Sequence, residues 1–287
     1  QRAKQVFIIY NTEVDALNGG EKSRFISQLE IGNTHHIKHQ ILSPKIPKNN
    51  STPISIPKNE KIILKLKEIA AQGFSPSSLT SYIKNPLDFY FSKVLGIKEN
   101  ENVEEIVAAN TLGTVIHNTL EDFYKPIEGN DLSIKDVESM ISKINATVTK
   151  HFSEVYKQGT ISKGKNLIIF EIAKRYVLNF LKFEKDELKK GHKIKIISIE
   201  SNINISLNIK ELNFPIRLKG KIDRIDEYNG VTRIIDYKTG KVEQRDVSLG
   251  SWGDLTVNYE KHHKSFQVLC YAYMIHKNTL LKTTTEA

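Results

Sequence analysis

The chain has 287 residues, 39% of them hydrophobic and 26% charged, which suits one large domain or two smaller ones with an ample core. No apolar run approaches the ~20 residues that span a bilayer and no secretory leader pattern opens the chain, so no membrane association is expected. The net charge of +9 favours a polyanionic partner, and the single cysteine, Cys270, excludes an internal disulfide and any all-cysteine metal site.

In chain order, Val6–Tyr10 is strand-like, Gly19-Gly20 marks a polar loop, and Glu21–Glu30 has helical spacing. The opening Gln suggests a piece of a longer polypeptide. His35, His36 and His39 lie in a polar connector without cysteine partners and read as solvated histidines. Three prolines with clustered Asn, Ser and Thr over residues 46–61 read as a linker, and the boundary between modules belongs there. Phe74–Leu79 opens the second module, with Ser75 as N-cap, Pro76 as first helical residue and Leu79, Tyr82 and Ile83 at helical spacing. Pro86 interrupts that helix, and an aromatic-rich turn ends at Gly96.

Thr111–Phe123 is helical and sets His117 and Glu121 four apart on one face. Two long helices follow, the first capped by Ser133 and the second closed by Gly191. Ile194–Ile209 alternates as a strand, and its Glu200 reads as exposed rather than as a residue orienting a ligand. Gly240–Lys264 is polar, either a loop over a site or plain surface, with Trp252 and Tyr259 able to stack bases or to pack. Phe266–Ile275 is a helix with Gln267 and Tyr271 on one face, and a polar tail over 282–287 follows.

The most informative stretch is Gly220–Lys238. Asn229-Gly230 between two β-like runs signals a two-residue type I′ hairpin, pairing Tyr228 with Val231. That register sets Asp223 opposite Asp236, with Lys238 on the Asp236 face. Two carboxylates so placed repel, and a divalent cation offsets the repulsion; two acids facing water on an edge hairpin is the simpler alternative.

Gly220-x-x-Asp223 followed by Asp236-x-Lys238, with Gly113-x-x-x-His117 upstream and Gln267-x-x-x-Tyr271 downstream, resembles the PD-(D/E)XK nuclease superfamily in its RecB/AddB-like branch. The resemblance implies an α/β fold with a restriction-endonuclease-like core, a central mixed β-sheet flanked by helices, and helical insertions. It implies catalytic roles for Asp223, Asp236 and Lys238, and a metal site for Mg²⁺ or Mn²⁺ made by His117, Asp223, Asp236 and the Tyr237 backbone carbonyl. Gln267, Tyr271 and Glu121 are implied as DNA-binding or site-supporting residues. Asn85 stands where iron–sulfur members carry Cys, so no iron–sulfur cluster is expected. The first thirty residues resemble the closing segment of a helicase module, though no GxxxxGK[ST] loop is present to give ATPase activity.

The expected organisation is residues 1–45 as the end of a helicase-like module, 46–73 as linker and 74–287 as nuclease domain, with room in the family's pattern for further elements after the last residue. The implied function is a metal-dependent deoxyribonuclease, an exonuclease acting on single- or double-stranded DNA ends in a bacterial cytoplasm. A helicase module in the same polypeptide and a partner helicase–nuclease subunit are the implied partners. A stand-alone endonuclease, a catalytically silent DNA-binding module and a purely structural interaction domain are the alternatives.

Overall fold

The computed structural model describes residues 5–10, 22–32, 36–41, 54–97, 107–156, 161–257, 259–278 and 285–286. The chain divides into two compact units, Gln1–Ile56 and Pro57–Ala287. In the first, α1 (Arg24–Gly32) starts where Ser23 accepts hydrogen bonds from the next turn. Val6–Tyr10 is exposed and pairs with no described strand, so it does not form one itself. His36 and His39 are exposed, with His39 Nε2 3.3 Å from Glu30; His35 and the Gly19-Gly20 loop lie outside the described residues.

The second unit begins with α2 (Glu60–Gln72), whose N-cap Asn59 accepts from Ile62 N–H. The second half of the stretch read as linker, 46–73, is thus helical: Lys61 to Ile69 carries apolar residues at helical spacing, which outweighs the polar signal before it. Helix α3 (Pro76–Lys84) follows, capped by Ser75, whose Oγ accepts from Ser78 N–H at 3.1 Å. Asn85 then caps α4 (Pro86–Phe89), which runs into a π turn over Tyr90–Val94.

Three helices form one layer: α5 (Ala109–Tyr124), α6 (Ile134–Val155) and α7 (Gly164–Lys189). Ser133 and Asp136 make a reciprocal capping box at the start of α6, and Gly191 ends α7 in the left-handed region at φ 89°. The facing stripes of these helices, Val115 and Leu120, Val137 and Val148, Val177 and Leu181 among them, are buried with Ile194, Ile196 and Ile199. Each such side chain contributes about 1.5–3 kcal/mol by leaving water.

The sheet runs β1 (Ile194–Leu207), β2 (Ile216–Tyr228), β3 (Val231–Ile235), antiparallel throughout, with the two-residue β4 (Thr285–Glu286) parallel to β3. The sheet is thus mixed and lies among helices, as expected. After it come two short turns of helix, α8 (Gln244–Val247) and α9 (Asp254–Val257), and then the long α10 (Tyr259–Asn278). Lys264 Nζ lies 2.8 Å from Asp246 and ties α8 to α10, so the segment after the hairpin carries its own local structure. Trp252 stays exposed.

The sheet changes sides along its length. Ile199 on β1 packs toward α5–α7, whereas Ile203, Ile205, Leu218 and Ile222 pack under Tyr271, Met274 and Ile275 of α10. A bulge between Ile196 and Ser198 shifts the β1–β2 register by one residue, and Glu200 has φ 52°. Helices α5–α7 therefore cover one half of one face and α10 covers the other half of the opposite face.

Beneath the crossover sits a buried charge network. Arg224 is fully buried; its Nη2 lies 2.8 Å from Glu184 of α7 and 2.5 Å from Asp226, and its guanidinium lies 4.5 Å from the Tyr124 ring of α5. Arg233 on β3 holds Asp226 with two hydrogen bonds, 2.8 and 2.9 Å. Removing one member leaves buried charges without partners, so Arg224→Met is expected to cost about 3–5 kcal/mol of stability. Urea denaturation of that variant beside the wild type measures this, with Lys143→Met on the exposed side of α6 as the control that stays near zero.

Candidate active site

Asn229 and Gly230 have φ 51° and 87°, the pair of positive angles that a type I′ turn requires. The β2–β3 register is Tyr228–Val231 through Arg224–Ile235, as the turn residues imply, and the ladder stops one position short of Asp223 and Asp236. There the Asp223 carboxylate replaces the ladder: its Oδ2 accepts the Tyr237 backbone N–H at 2.7 Å. This fixes Asp236, Tyr237 and Lys238 in an extended arch at the hairpin mouth.

The two aspartates then take different surroundings. Asp223 meets α5: its Oδ2 lies 3.5 Å from His117 Nδ1, while His117 Nε2 lies 2.9 Å from the Tyr237 carbonyl oxygen. Because a carbonyl only accepts, Nε2 carries a proton here, and the hydrogen bond and charge of Asp223 beside Nδ1 push the imidazole pKa up. Ligand atoms of His117, Glu200 and Asp223 all lie within 4.8 Å of one another. Glu200 is 11% exposed at its side chain, not the exposed strand residue expected from alternation. It falls opposite Asp223 in the β1–β2 register, between the pairs Ile199–Arg224 and Ser201–Ile222. Only the pairing of two strands separated by an irregular connection brings it there, and no turn signal announces that register.

Asp236 instead faces α10. Its side chain is 6% exposed, forms an ion pair with Lys238, and accepts Gln267 Nε2 at 2.9 Å. Lys238 Nζ donates to Gln267 Oε1 at 3.1 Å, so one amide holds both the Asp236 and Lys238 side chains. Burial pushes the Asp236 carboxyl up from the usual carboxylate value, with Lys238 opposing the shift. Gln267 Nε2 also lies 3.3 Å from the Tyr271 hydroxyl. Asp236 is absent from the group formed by His117, Glu200 and Asp223, so the aspartates are neighbours at the hairpin mouth with separate partners.

One glycine allows α10 to meet β2. A Cβ on Gly220 would lie 2.6 Å from Tyr271 Cε1, so only glycine lets the Tyr271 ring rest on β2. Gly113 of α5 lies beside Thr239, and with Asn110, Thr114, Asn118, His117 and Glu200 it lines a hollow. Glu121, one turn beyond His117, is half-buried, and its charge acts on Lys221. Lys221 Nζ lies 2.5 Å from Glu200.

An acidic and imidazole cluster beside a lysine, at the open end of a hairpin, is a donor set that could hold a divalent metal ion. Residues 73–286 match the family model of the PD-(D/E)XK nuclease superfamily, and the chain belongs to that superfamily. It is 26% identical over 189 residues to an uncharacterized protein of Rickettsia conorii, covering 61% of this chain and 20% of that protein. It is 24% identical over 256 residues to one of Rickettsia bellii, covering 85% of this chain and 29% of that protein. It is also 28% identical over 180 residues to an ATP-dependent helicase/deoxyribonuclease subunit of Clostridium perfringens, covering 58% of this chain and 15% of that protein. The chain thus spans less than a third of the length of each of these relatives. Members of the superfamily generally use divalent metal ions. No described helix is long and apolar enough to cross a membrane.

The close approach at Gly220 gives a direct test. Gly220→Ala is expected to lose about 1–3 kcal/mol by overpacking against Tyr271. Thermal and urea unfolding should show most of that extra loss disappear when the same change is made in a Tyr271→Ala background. An additive pair of losses would contradict the close approach.

Proposed function

We propose that this chain hydrolyses DNA phosphodiester bonds with a divalent metal ion, as the exonuclease domain of a helicase–nuclease that processes DNA ends in recombinational repair. The observation that carries the reading is the convergence of His117, Glu200 and Asp223 beside the Asp236–Lys238 pair. Carboxylate oxygens, the Tyr237 carbonyl and one imidazole form a donor set suited to Mg²⁺ or Mn²⁺, and the nitrogen favours Mn²⁺ somewhat. An ion held there supplies charge neutralisation for the phosphoryl oxygens and acidifies a water.

The chain's own groups do the rest. Asp236 completes the proposed ligand set from the same hairpin mouth, opposite Asp223 one position beyond the Arg224–Ile235 pair. Gln267 holds Lys238 at the rim, where its ammonium orients the attacking water and stabilises charge on the phosphate. Tyr271 fixes Gln267, and through Gly220 it fixes β2. Glu121 supports the site through Lys221. The first 45 residues are read as the end of a helicase-like module; the name of the Clostridium perfringens relative supports a helicase module in the same polypeptide and a partner subunit.

Digestion of end-labelled linear and closed-circular DNA with Mg²⁺, Mn²⁺ or EDTA tests the reading, with Asp236→Ala and Lys238→Ala alongside. The expected result is metal-dependent loss of linear DNA, reduced at least about a hundredfold in both variants, in keeping with the removal of an electrostatic group from such a site. Nicking of the circle would establish an endonuclease instead. Full cleavage by Asp236→Ala would remove the hairpin from the chemistry.

A further inference from the structure

Beyond the metal centre, the half of the β1–β2 face that α5–α7 leave uncovered carries an ordered set of polar side chains. On β1 these are Asn202, Asn204 and Ser206; directly across on β2 stand Lys221, Lys219 and Arg217. All six are exposed, while Ile203, Ile205, Leu218 and Ile222 on the other face are buried under α10. Each rung thus pairs a neutral hydrogen-bonding side chain with a cation, and successive rungs stand about 7 Å apart, two residues along a strand. The row begins at the Glu200–Asp223 position, where Lys221 already pairs with Glu200.

A polar outer face is ordinary for an antiparallel sheet, but such faces normally mix both signs of charge. Here the six positions include three cations and no acid, and the acids appear only where the row enters the candidate metal centre. The second rung is also braced. The Lys219 stem packs against Gly73, where an added Cβ would lie 3.2 Å from its Cδ. Its backbone N–H donates to Phe74 O at 2.9 Å, and Ser75, Asn202, Asn204, Lys219, Gly220 and Lys221 line one hollow. No aromatic ring stands on the rungs, so the surface offers hydrogen bonds and charge to a sugar–phosphate backbone and no stacking platform to bases.

We propose that this ladder is the track of the DNA strand being cut. The scissile phosphate lies at Glu200–Asp223, and the phosphates on one side of it are met in turn by Lys221, Lys219 and Arg217, with Asn202, Asn204 and Ser206 bonding to the backbone beside them. The inference rests on the nuclease reading of the site and adds the substrate's path and its independence of base sequence.

The test is binding of the 287-residue chain to labelled single-stranded and duplex oligonucleotides in EDTA, over a series of salt concentrations. Arg217→Gln and Lys219→Gln are measured singly and together, with Lys143→Gln as control and circular dichroism as the check on folding. For single strands the salt slope falls by about 0.7 for each phosphate that no longer meets a cation, so the double variant should show a slope lower by about 1.4 and the control no change. The change should be the same for oligonucleotides of different sequence. An unchanged slope in the double variant, or no binding by the parent chain, overturns the track. Cleavage with Mn²⁺ is followed separately: variants that raise KM while keeping kcat at saturating DNA support it. A lowered slope in a chain that never cleaves leaves the track standing while the nuclease reading fails.

Discussion

The fully buried guanidinium of Arg224 ties the hairpin to the helical layer. It stands next in sequence to Asp223 and is gripped by Glu184 of α7 and Asp226, against the Tyr124 ring of α5. A buried cation needs such partners, because an unpaired one costs several kcal/mol. Satisfying it seats β2 against the layer that carries His117, while Arg233 fixes β3 to β2 through the same Asp226. Asp223, one residue away, is thereby carried to the imidazole, and the Tyr237 N–H that it accepts shapes the arch bearing Asp236 and Lys238.

A division of labour follows along the strands. Next to Asp223, the side chain of Arg224 goes inward to hold the fold; between Asp236 and Lys238, the ring of Tyr237 packs against His117 and Phe180 while its carbonyl faces the site. Burial keeps the Tyr237 phenol well above its usual pKa, so it stays neutral. The residues between the chemical ones are thus the anchors that keep them in place. From the other side, α10 contributes Gln267 and Tyr271, and the missing side chain at Gly220 lets that helix approach.

Much of this was legible in the sequence, for local reasons. Asn229-Gly230 specifies its turn and hence the β2–β3 register, and Ser133, Ser75 and Gly191 mark helix ends by capping chemistry. The order of Gly113, His117, Asp223, Asp236, Lys238, Gln267 and Tyr271 marks the elements that meet. What could not be read depended on long-range pairing. Glu200 reaches the site only through the β1–β2 register and its bulge, and its positive φ breaks the alternation that implies exposure. The parting of Asp223 and Asp236 depends on α10 presenting Gln267 to one and α5 presenting His117 to the other. Helix α2 was hidden by the proline-rich composition before it, and the strand expected at Val6–Tyr10 lacked a partner among the described residues.

A helix and a hairpin mouth together make the proposed metal centre. The most direct measurement is a crystal structure of the chain with Mn²⁺, with anomalous scattering recorded at the manganese edge. The expected result is a peak bounded by Asp223, His117 and Glu200, with the His117–Tyr237 hydrogen bond replaced and Asp236 released toward the ion. Clear density for the site with no manganese peak there, or a peak confined to surface carboxylates elsewhere, would contradict it.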